Sequence, residues 1–242
     1  MSALGHYLEE EGIASVAMAL IRPQAENTRP PRALWVPFEL GRPIGPPSDA
    51  AFQKRVILTA LGMLVEGGGP VRIVDFPDDD PREAADPSWR APLSPHPNPL
   101  PPAGEGVHLA DALEAEMRAL APLYAQSCTE RARSTVGLSG LPPAEFGAYI
   151  AAWLRGESPA SPVADMSPLL ALRFAIDDLK AYALEAAIAG GARPSSQQLG
   201  DWLWNESAPG AAIRALRERL MAGGEREQAV AAFFVPAVRA SG

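Results

Sequence analysis

Proline is unevenly distributed along this 242-residue chain, and its clustering limits how the chain can fold. Nine of the 26 prolines lie between Pro77 and Pro102, in a window that also contains three consecutive aspartates at residues 78–80. Proline lacks an amide proton and fits neither the interior of a helix nor that of a sheet. The sequence therefore predicts that residues 77–107 form an extended Pro-rich linker or a surface insertion between two folded parts.

Before this window the pattern alternates between helices and short apolar strands. A helix over residues 2–11 ends at Gly12, because glycine readily adopts the left-handed angles of a helix stop. Three apolar runs are each suited to a short buried strand, namely residues 14–21, 33–38 and 70–76, and Pro23 is expected to end the first of them. A helix over residues 50–66, capped by Ser48 or Asp49 and stopped by the glycine triplet at 67–69, separates the last two runs. Such alternation is typical of a parallel sheet. We predict an α/β unit over residues 1–76, a flavodoxin-like fragment of a doubly wound sheet.

After the window every periodic segment is helical. The predicted helices cover residues 109–133, 142–155, 167–189, 195–205, 209–222 and 225–239. The fold class predicted for the chain is therefore α/β plus α, with the parallel-sheet unit joined to an all-α C-terminal domain over residues 108–242.

Charge and composition disfavour several classes of partner. The formal net charge is -8, and neither part of the chain is basic, with 9 basic against 14 acidic residues in 1–106 and 12 against 15 in 107–242. We therefore expect no nucleic-acid binding. No apolar run reaches the roughly 18 residues of a membrane span, so we also expect no membrane partner. The single cysteine, Cys128, is typical of a reducing compartment and predicts a cytoplasmic protein.

The motifs of the common cofactor and metal sites are missing from the sequence. It contains no GxGxxG, no GxxxxGK[ST] and no CxxC. The three histidines all precede residue 109, so the helical part has no Glu-x-x-His pairs for a di-iron site. The sequence therefore predicts no cofactor and no metal.

Three short stretches near the N-terminus resemble one known family. They are EGIASV at residues 11–16, RPPRALWVPF at 29–38 and LGRPIG at 40–45. Over about residues 9–65 the chain is similar to the selenoprotein B subunit family of the glycine, betaine, sarcosine and D-proline reductases. The resemblance implies a glycine-isoleucine turn into a first strand, a second strand that ends in a P-x-x-L-G-x-P loop, and a following helix.

The chain departs from that family at the redox centre. The resemblance implies a selenocysteine or cysteine nucleophile in a turn that here falls before Met1, and the first 127 residues contain no cysteine. Thiolate chemistry requires the sulfur, so the family's reaction is not expected. The chain either starts after that turn or has lost the redox centre, and we expect the loss.

The loop after the second strand supplies the first candidate site, formed by Glu39, Gly41 and Arg42. A loop at the carboxyl end of a parallel strand lines the crevice in which α/β sheets bind ligands. Arg42 can hold a substrate carboxylate through two parallel hydrogen bonds, while Glu39 orients it or binds an amine. In the alternative interpretation Glu39 and Arg42 pair with each other and only stiffen the turn.

The helix over residues 167–189 supplies the remaining candidates, Asp178 and Lys180. Asp178, Tyr182 and Glu185 share one helix face through their spacing of four and three residues. Paired carboxylates on one face can bind a metal or shift pKa values, which makes this face a candidate binding site. The alternative is an ordinary charged outer face of the helix.

Three functions remain compatible with the sequence. The first is a non-redox relative of the reductase B subunit, which binds a small amino acid or amine and works with a protein partner subunit. The second is an enzyme whose site is rebuilt between the α/β and helical parts from Glu39, Arg42 and helical carboxylates. The third is a structural or interaction protein. Because three strands leave edges and faces open, a homodimer is a further expectation.

Overall fold

The structure is a computed structural model. It describes residues 2–66, 70–93, 100–102, 104–236 and 239. The glycine triplet at 67–69, predicted to stop a helix, and the proline run at 94–99 lie outside the described residues. The chain is mixed α/β and divides into two compact units, Met1–Ala84 and Ala85–Gly242.

The first unit contains a small parallel sheet, as the alternating pattern predicted. Its elements are α1 (Ser2–Glu10), β1 (Ala17–Ala19), α2 (Arg22–Thr28), β2 (Arg32–Trp35), α3 (Ala50–Val65) and β3 (Arg72–Asp75). The strand order is β1-β2-β3 and both pairs are parallel. Ala19, Trp35 and Asp75 are aligned across the sheet, so the carboxyl ends of all three strands lie at one edge.

The helix α2 was not predicted from the sequence. Pro23 was expected only to end the preceding strand, whereas in the structure it lies in the first turn of α2. Proline fits this position because its fixed φ suits a helix and the first-turn amides need no intrahelical acceptor. The first strand is correspondingly shorter than the predicted run.

Both faces of the central strand β2 are covered. Ala33 and Leu34 point to opposite faces of the sheet, and both are fully buried. On the face of Leu34 the core contains three aromatic rings with centroids 5.5 to 5.9 Å apart, from Phe38, Phe52 and Phe76. Edge-to-face packing of such rings adds to the free energy of burial.

The loop before α3 depends on a glycine. Gly45 has a φ of +86°, and a Cβ at this position would lie 2.5 Å from the Phe52 ring. Asp49, one of the two caps that the sequence allowed, caps α3 by accepting a hydrogen bond of 3.0 Å from the Phe52 amide. The aromatic core and the start of α3 therefore fix the end of the loop at residues 39–45.

The described residues of the second unit form helices packed on a common core. These are α4 (Gly106–Arg131), α5 (Phe146–Leu154), α6 (Pro168–Ala187), α7 (Ser196–Asn205), α8 (Ala208–Met221) and α9 (Glu225–Ala231). Part of the Pro-rich window packs against this unit, since the Trp89 indole donates a hydrogen bond of 3.2 Å to the Ala187 carbonyl. None of the helices described is long and apolar enough to cross a lipid bilayer.

We expect Phe52→Ala to lower the free energy of unfolding of the first unit by about 3–5 kcal/mol, because it opens a cavity between two buried rings. Equilibrium urea denaturation measures this loss. Tyr7→Ala is the matched control, because the Tyr7 side chain is exposed and its loss should cost little. Equal losses in the two variants would contradict this account of the core.

Candidate functional site

The carboxyl edge of the sheet is bridged by one arginine. Arg22 follows β1, and its guanidinium lies 5.4 Å from the ring centroid of Trp35 at the end of β2. The same guanidinium donates a hydrogen bond to Asp75 at the end of β3 and another, of 2.8 Å, to Glu26. This edge is where open α/β sheets bind ligands, and the arginine holds its three strand ends together.

Two consecutive turns shape the loop that follows β2. The Arg42 amide donates to the Glu39 carbonyl at 3.0 Å, and the Gly45 amide donates to the Arg42 carbonyl at 3.0 Å. Gly41 makes the first turn with a φ of +91°, a conformation that side chains disfavour. The two hydrogen-bonded turns on either side of Arg42 thus fix the position of its backbone.

Two acidic residues beyond β3 attract the Arg42 side chain. Arg42 Nη1 lies 3.5 Å from Glu83 Oε1 and 4.0 Å from Asp80 Oδ2. The Asp80 side chain is fully buried, whereas that of Arg42 is 44% exposed. Within the described part of the chain the Arg42 guanidinium donates no hydrogen bond, so its N–H groups can still bind a carboxylate from solution.

The acidic side chains at this edge outnumber the basic ones. Asp78 is paired with Arg55 at 2.8 Å, and Asp80 and Glu83 face Arg42. The exposed carboxylates of Glu39 and Asp79 make no hydrogen bond or ion pair with any residue described in the structure. A cation approaching Arg42 therefore meets negative charge that the protein itself does not neutralise.

A cavity of about 670 Å³ adjoins this edge. Its wall includes the end of β1 from Ala19 to Ile21, parts of α1 and α2, and Leu40 of the loop. Three polar side chains on the wall are already bonded, since the Ser2 and Thr28 hydroxyls lie 2.8 Å apart and His6 Nε2 lies 2.9 Å from the Arg29 carbonyl. The exposed Gln24 side chain makes no hydrogen bond with any described residue. The cavity thus offers mostly apolar volume, with one open amide, beside the charged loop.

The geometry corrects one interpretation of the loop. Pairing of Glu39 with Arg42 was the expected alternative, but the ion pairs of Arg42 are with Asp80 and Glu83. Sequence reasoning missed these two acids because it assigned them to a linker. Their position directly after β3 could have indicated this contact. The loops that follow neighbouring parallel strands begin at the same edge of the sheet, so their side chains lie close together.

Asp178 in the second unit is fully buried and accepts four hydrogen bonds. Its Oδ1 accepts from the amides of Gly137 and Leu138 at 2.8 and 3.0 Å. Its Oδ2 accepts from the Ser139 amide and hydroxyl at 2.8 and 2.6 Å. The carboxylate is saturated by the loop between α4 and α5, which gives Asp178 a structural function.

The same helix face carries a second buried carboxylate. Glu185 Oε1 accepts from the amide and the hydroxyl of Thr135 at 2.7 and 2.8 Å. Asp178, Tyr182 and Glu185 do share one face, but that face is buried, so the alternative of a charged outer face is wrong. The two carboxylates instead hold the polar loop over residues 134–140.

Lys180 contacts other residues of its own unit. Its Nζ lies 2.7 Å from Asp177 Oδ1 and 3.4 Å from the Phe234 carbonyl. The lysine therefore links α6 to the segment after α9. Glu39, Gly41 and Arg42 lie in the first unit, and Asp178 and Lys180 lie in the second.

The second unit also has a cavity, of about 940 Å³, between the ends of several helices. Its charged side chains are of both signs, with Arg219 and Arg226 against Glu157, Glu225 and Glu227. Burial lowers the pKa of Arg219, and Glu227 opposes that effect. Mixed charge gives this cavity no clear preference for an anionic or a cationic ligand.

Comparison of the chain with protein-family models, with curated proteins and with solved structures gave no match. Among the side chains described, no three or more from His, Cys, Asp and Glu are grouped closely enough to hold a metal ion. The carboxyl edge of the first unit's sheet, with Arg42 and the acidic side chains near it, is therefore the candidate site.

Asp178→Ala should lower the free energy of unfolding by about 3 kcal/mol or more, because it leaves three amides and a hydroxyl without their acceptor. Asp177→Ala is the control. Asp177 forms partly exposed ion pairs with Arg173 and Lys180, which contribute about 1 kcal/mol or less. Urea denaturation compares the two, and similar losses would contradict the structural function of Asp178.

The stability of the second unit should fall between about pH 10 and pH 12. Burial raises the pKa of Tyr182 from 10.0 to about 12, with smaller contributions from Tyr124 and Cys128. The unfolded chain releases this proton near pH 10 and the folded chain only near pH 12, so rising pH favours unfolding across that window. Tyr182→Phe has no such proton, and its free energy of unfolding should fall less steeply over the same range.

Proposed function

We propose that this protein binds a small amino acid at the carboxyl edge of the first unit's sheet. Arg42 binds the ligand's carboxylate, and the acidic side chains around it bind the ligand's ammonium group. The observation that carries the proposal is the position of Arg42, which is attracted by Asp80 and Glu83 at 4.0 and 3.5 Å but donates no hydrogen bond to any described residue.

The charge of the edge favours a zwitterion over a simple acid or amine. Asp80 and Glu83 already face Arg42, and the carboxylates of Glu39 and Asp79 extend the negative charge around it. A ligand with only a carboxylate would be repelled by these groups, and one with only an ammonium would be repelled by the guanidinium. An α-amino acid satisfies both kinds of group at once.

The resemblance to the reductase B subunits supports the same class of ligand. That family acts on glycine, betaine, sarcosine and D-proline, all of which carry a carboxylate beside a nitrogen. We infer a non-redox relative, because the first unit's sheet edge contains no cysteine and Cys128 lies in the second unit. The loop that carries the resemblance, residues 40–45, contains Arg42.

The finer architecture belongs to this proposal. We infer that the first unit is a flavodoxin-like fragment and the second an all-α domain, and that the protein is an accessory, ligand-binding component in the cytoplasm with a partner subunit. We do not propose an enzyme site that uses Asp178, because its carboxylate accepts four hydrogen bonds from its own loop.

Binding is tested by the thermal shift of the full chain in glycine, sarcosine or D-proline, with acetate and methylamine as ligands that carry one charge only. A ligand that binds only the folded state raises the melting temperature with its concentration. Amino acids also stabilise proteins non-specifically as osmolytes, so the difference between variants is the readout.

We expect at least one zwitterion to raise the melting temperature of the wild type and not that of Arg42→Gln, whose affinity should be about tenfold weaker or worse. Arg29→Gln removes the same charge from a side chain outside the loop and should keep the wild-type response. The proposal fails if every probe acts equally on wild type and Arg42→Gln.

A further inference from the structure

The outer side of β1 is an open lateral edge of the sheet. Among the strands described, β1 pairs only with β2. The Val36 amide donates to the Ala19 carbonyl at 2.9 Å, which directs the backbone groups of Ala17 and Ala19 towards β2. Backbone groups of consecutive strand residues point to opposite sides, so the N–H and C=O of Met18 point away from β2. Neither these groups nor those of Leu20 form a hydrogen bond with any residue described.

The cavity of about 670 Å³ runs along this lateral edge, because its wall includes all five residues over 17–21. Side chains alternate between the two faces of a strand, so a cavity confined to one face would meet only every second residue. Met18 packs against the core that contains Leu34, whereas Ala17 and Ala19 lie on the opposite face. Five consecutive lining residues therefore place the cavity beside the strand, next to its unbonded backbone groups.

The rest of the cavity wall restricts what can occupy it. It comes from α1, from α2 and from Leu40 of the loop. Among the described residues that line the cavity, none is Asp, Glu, Lys or Arg. An occupant that fits this wall is uncharged, and it offers acceptors and donors to the open backbone groups of β1. An extended peptide has this pattern, because its backbone presents an N–H and a C=O to the same side every two residues, roughly 6.6 Å apart.

The two lateral edges of the sheet differ in how they are protected. β3 begins with Arg72 and ends with Asp75, and charged residues on an edge strand discourage the addition of another strand. β1 has the sequence Ala-Met-Ala, with neither a charge nor a proline. The unprotected edge is thus the one that lies beside a formed cavity.

We propose that the lateral edge of β1 binds an extended, uncharged peptide segment of another protein, which adds a fourth strand to the sheet. The segment's backbone bonds the open groups of Met18 and Leu20. Five extended residues span roughly 17 Å, which matches the length of residues 17–21. A second copy of this chain fits less well, because its own β1 has three residues and brings α1 and α2 with it. This inference does not rest on the proposed amino-acid site, because it uses the backbone of β1 and not Arg42.

Peptide binding is tested by heteronuclear NMR of the nitrogen-labelled full chain. The probe is a pool of acetylated and amidated pentapeptides composed of Ala, Val, Leu and Thr. We expect the pool to shift the Met18 and Leu20 amide resonances and to slow their hydrogen exchange, because the added strand bonds these amides. The same pool N-methylated at every residue has no backbone donors, and its affinity should be about tenfold weaker or worse.

Met18→Pro removes the outward amide from the edge. The fold should be retained, because proline is tolerated on an edge strand where the N–H points outwards, and Met18 donates nothing to β2. We expect this variant to bind the pool about tenfold more weakly or worse, as read from the Leu20 amide. Met18→Ala keeps the amide and is the matched control, which should bind like the wild type.

Four results would overturn the proposal. The first is a pool that leaves the Met18 and Leu20 resonances unchanged, and the second is equal binding by the wild type and Met18→Pro. The third is a set of shifts confined to side chains of the cavity such as Gln24, which would show a small-molecule cavity and not a strand site. The fourth is a wild type that self-associates through Met18 without peptide, which would identify a second copy as the occupant.

Discussion

A carboxylate removed from water must accept hydrogen bonds, and the second unit depends on how Asp178 meets this requirement. Its two oxygens accept hydrogen bonds from three backbone amides and one hydroxyl of the loop that joins α4 to α5. Glu185 holds the start of the same loop through Thr135. These two buried carboxylates on α6 thereby hold the loop between the end of α4 and the start of α5. The helices joined in this way pack on one apolar core.

The first unit uses charge differently, at a surface that stays open. Arg22 donates hydrogen bonds to Asp75 and Glu26 and so joins the strand ends. Arg42 lies near two carboxylates without donating a hydrogen bond to them, which leaves its N–H groups able to bind an anion while its neighbours attract a cation. Arg22 thus forms structural contacts, whereas Arg42 is the candidate binding group.

The helix α3 supports this site with one side only. Its first turn is capped by Asp49 and packs Phe52 against the glycine that ends the Arg42 loop, so one side of α3 supports the site. Its other side lies outside the core of its unit and carries the exposed apolar side chains of Leu58, Leu61 and Val65.

The sequence by itself determined the parallel sheet and a cap for α3 at Ser48 or Asp49, because these depend on local periodicity and on a capping side chain. It did not determine α2, because a proline after a short strand is compatible with either a stop or a first turn. The partners of Arg42, the burial of Asp178 and the exposure of Leu61 were decided only by the tertiary structure. The physical reason is that residues distant in sequence meet across a sheet edge or a helix interface. When a helix has apolar residues on two faces, the elements packed against it decide which face is buried.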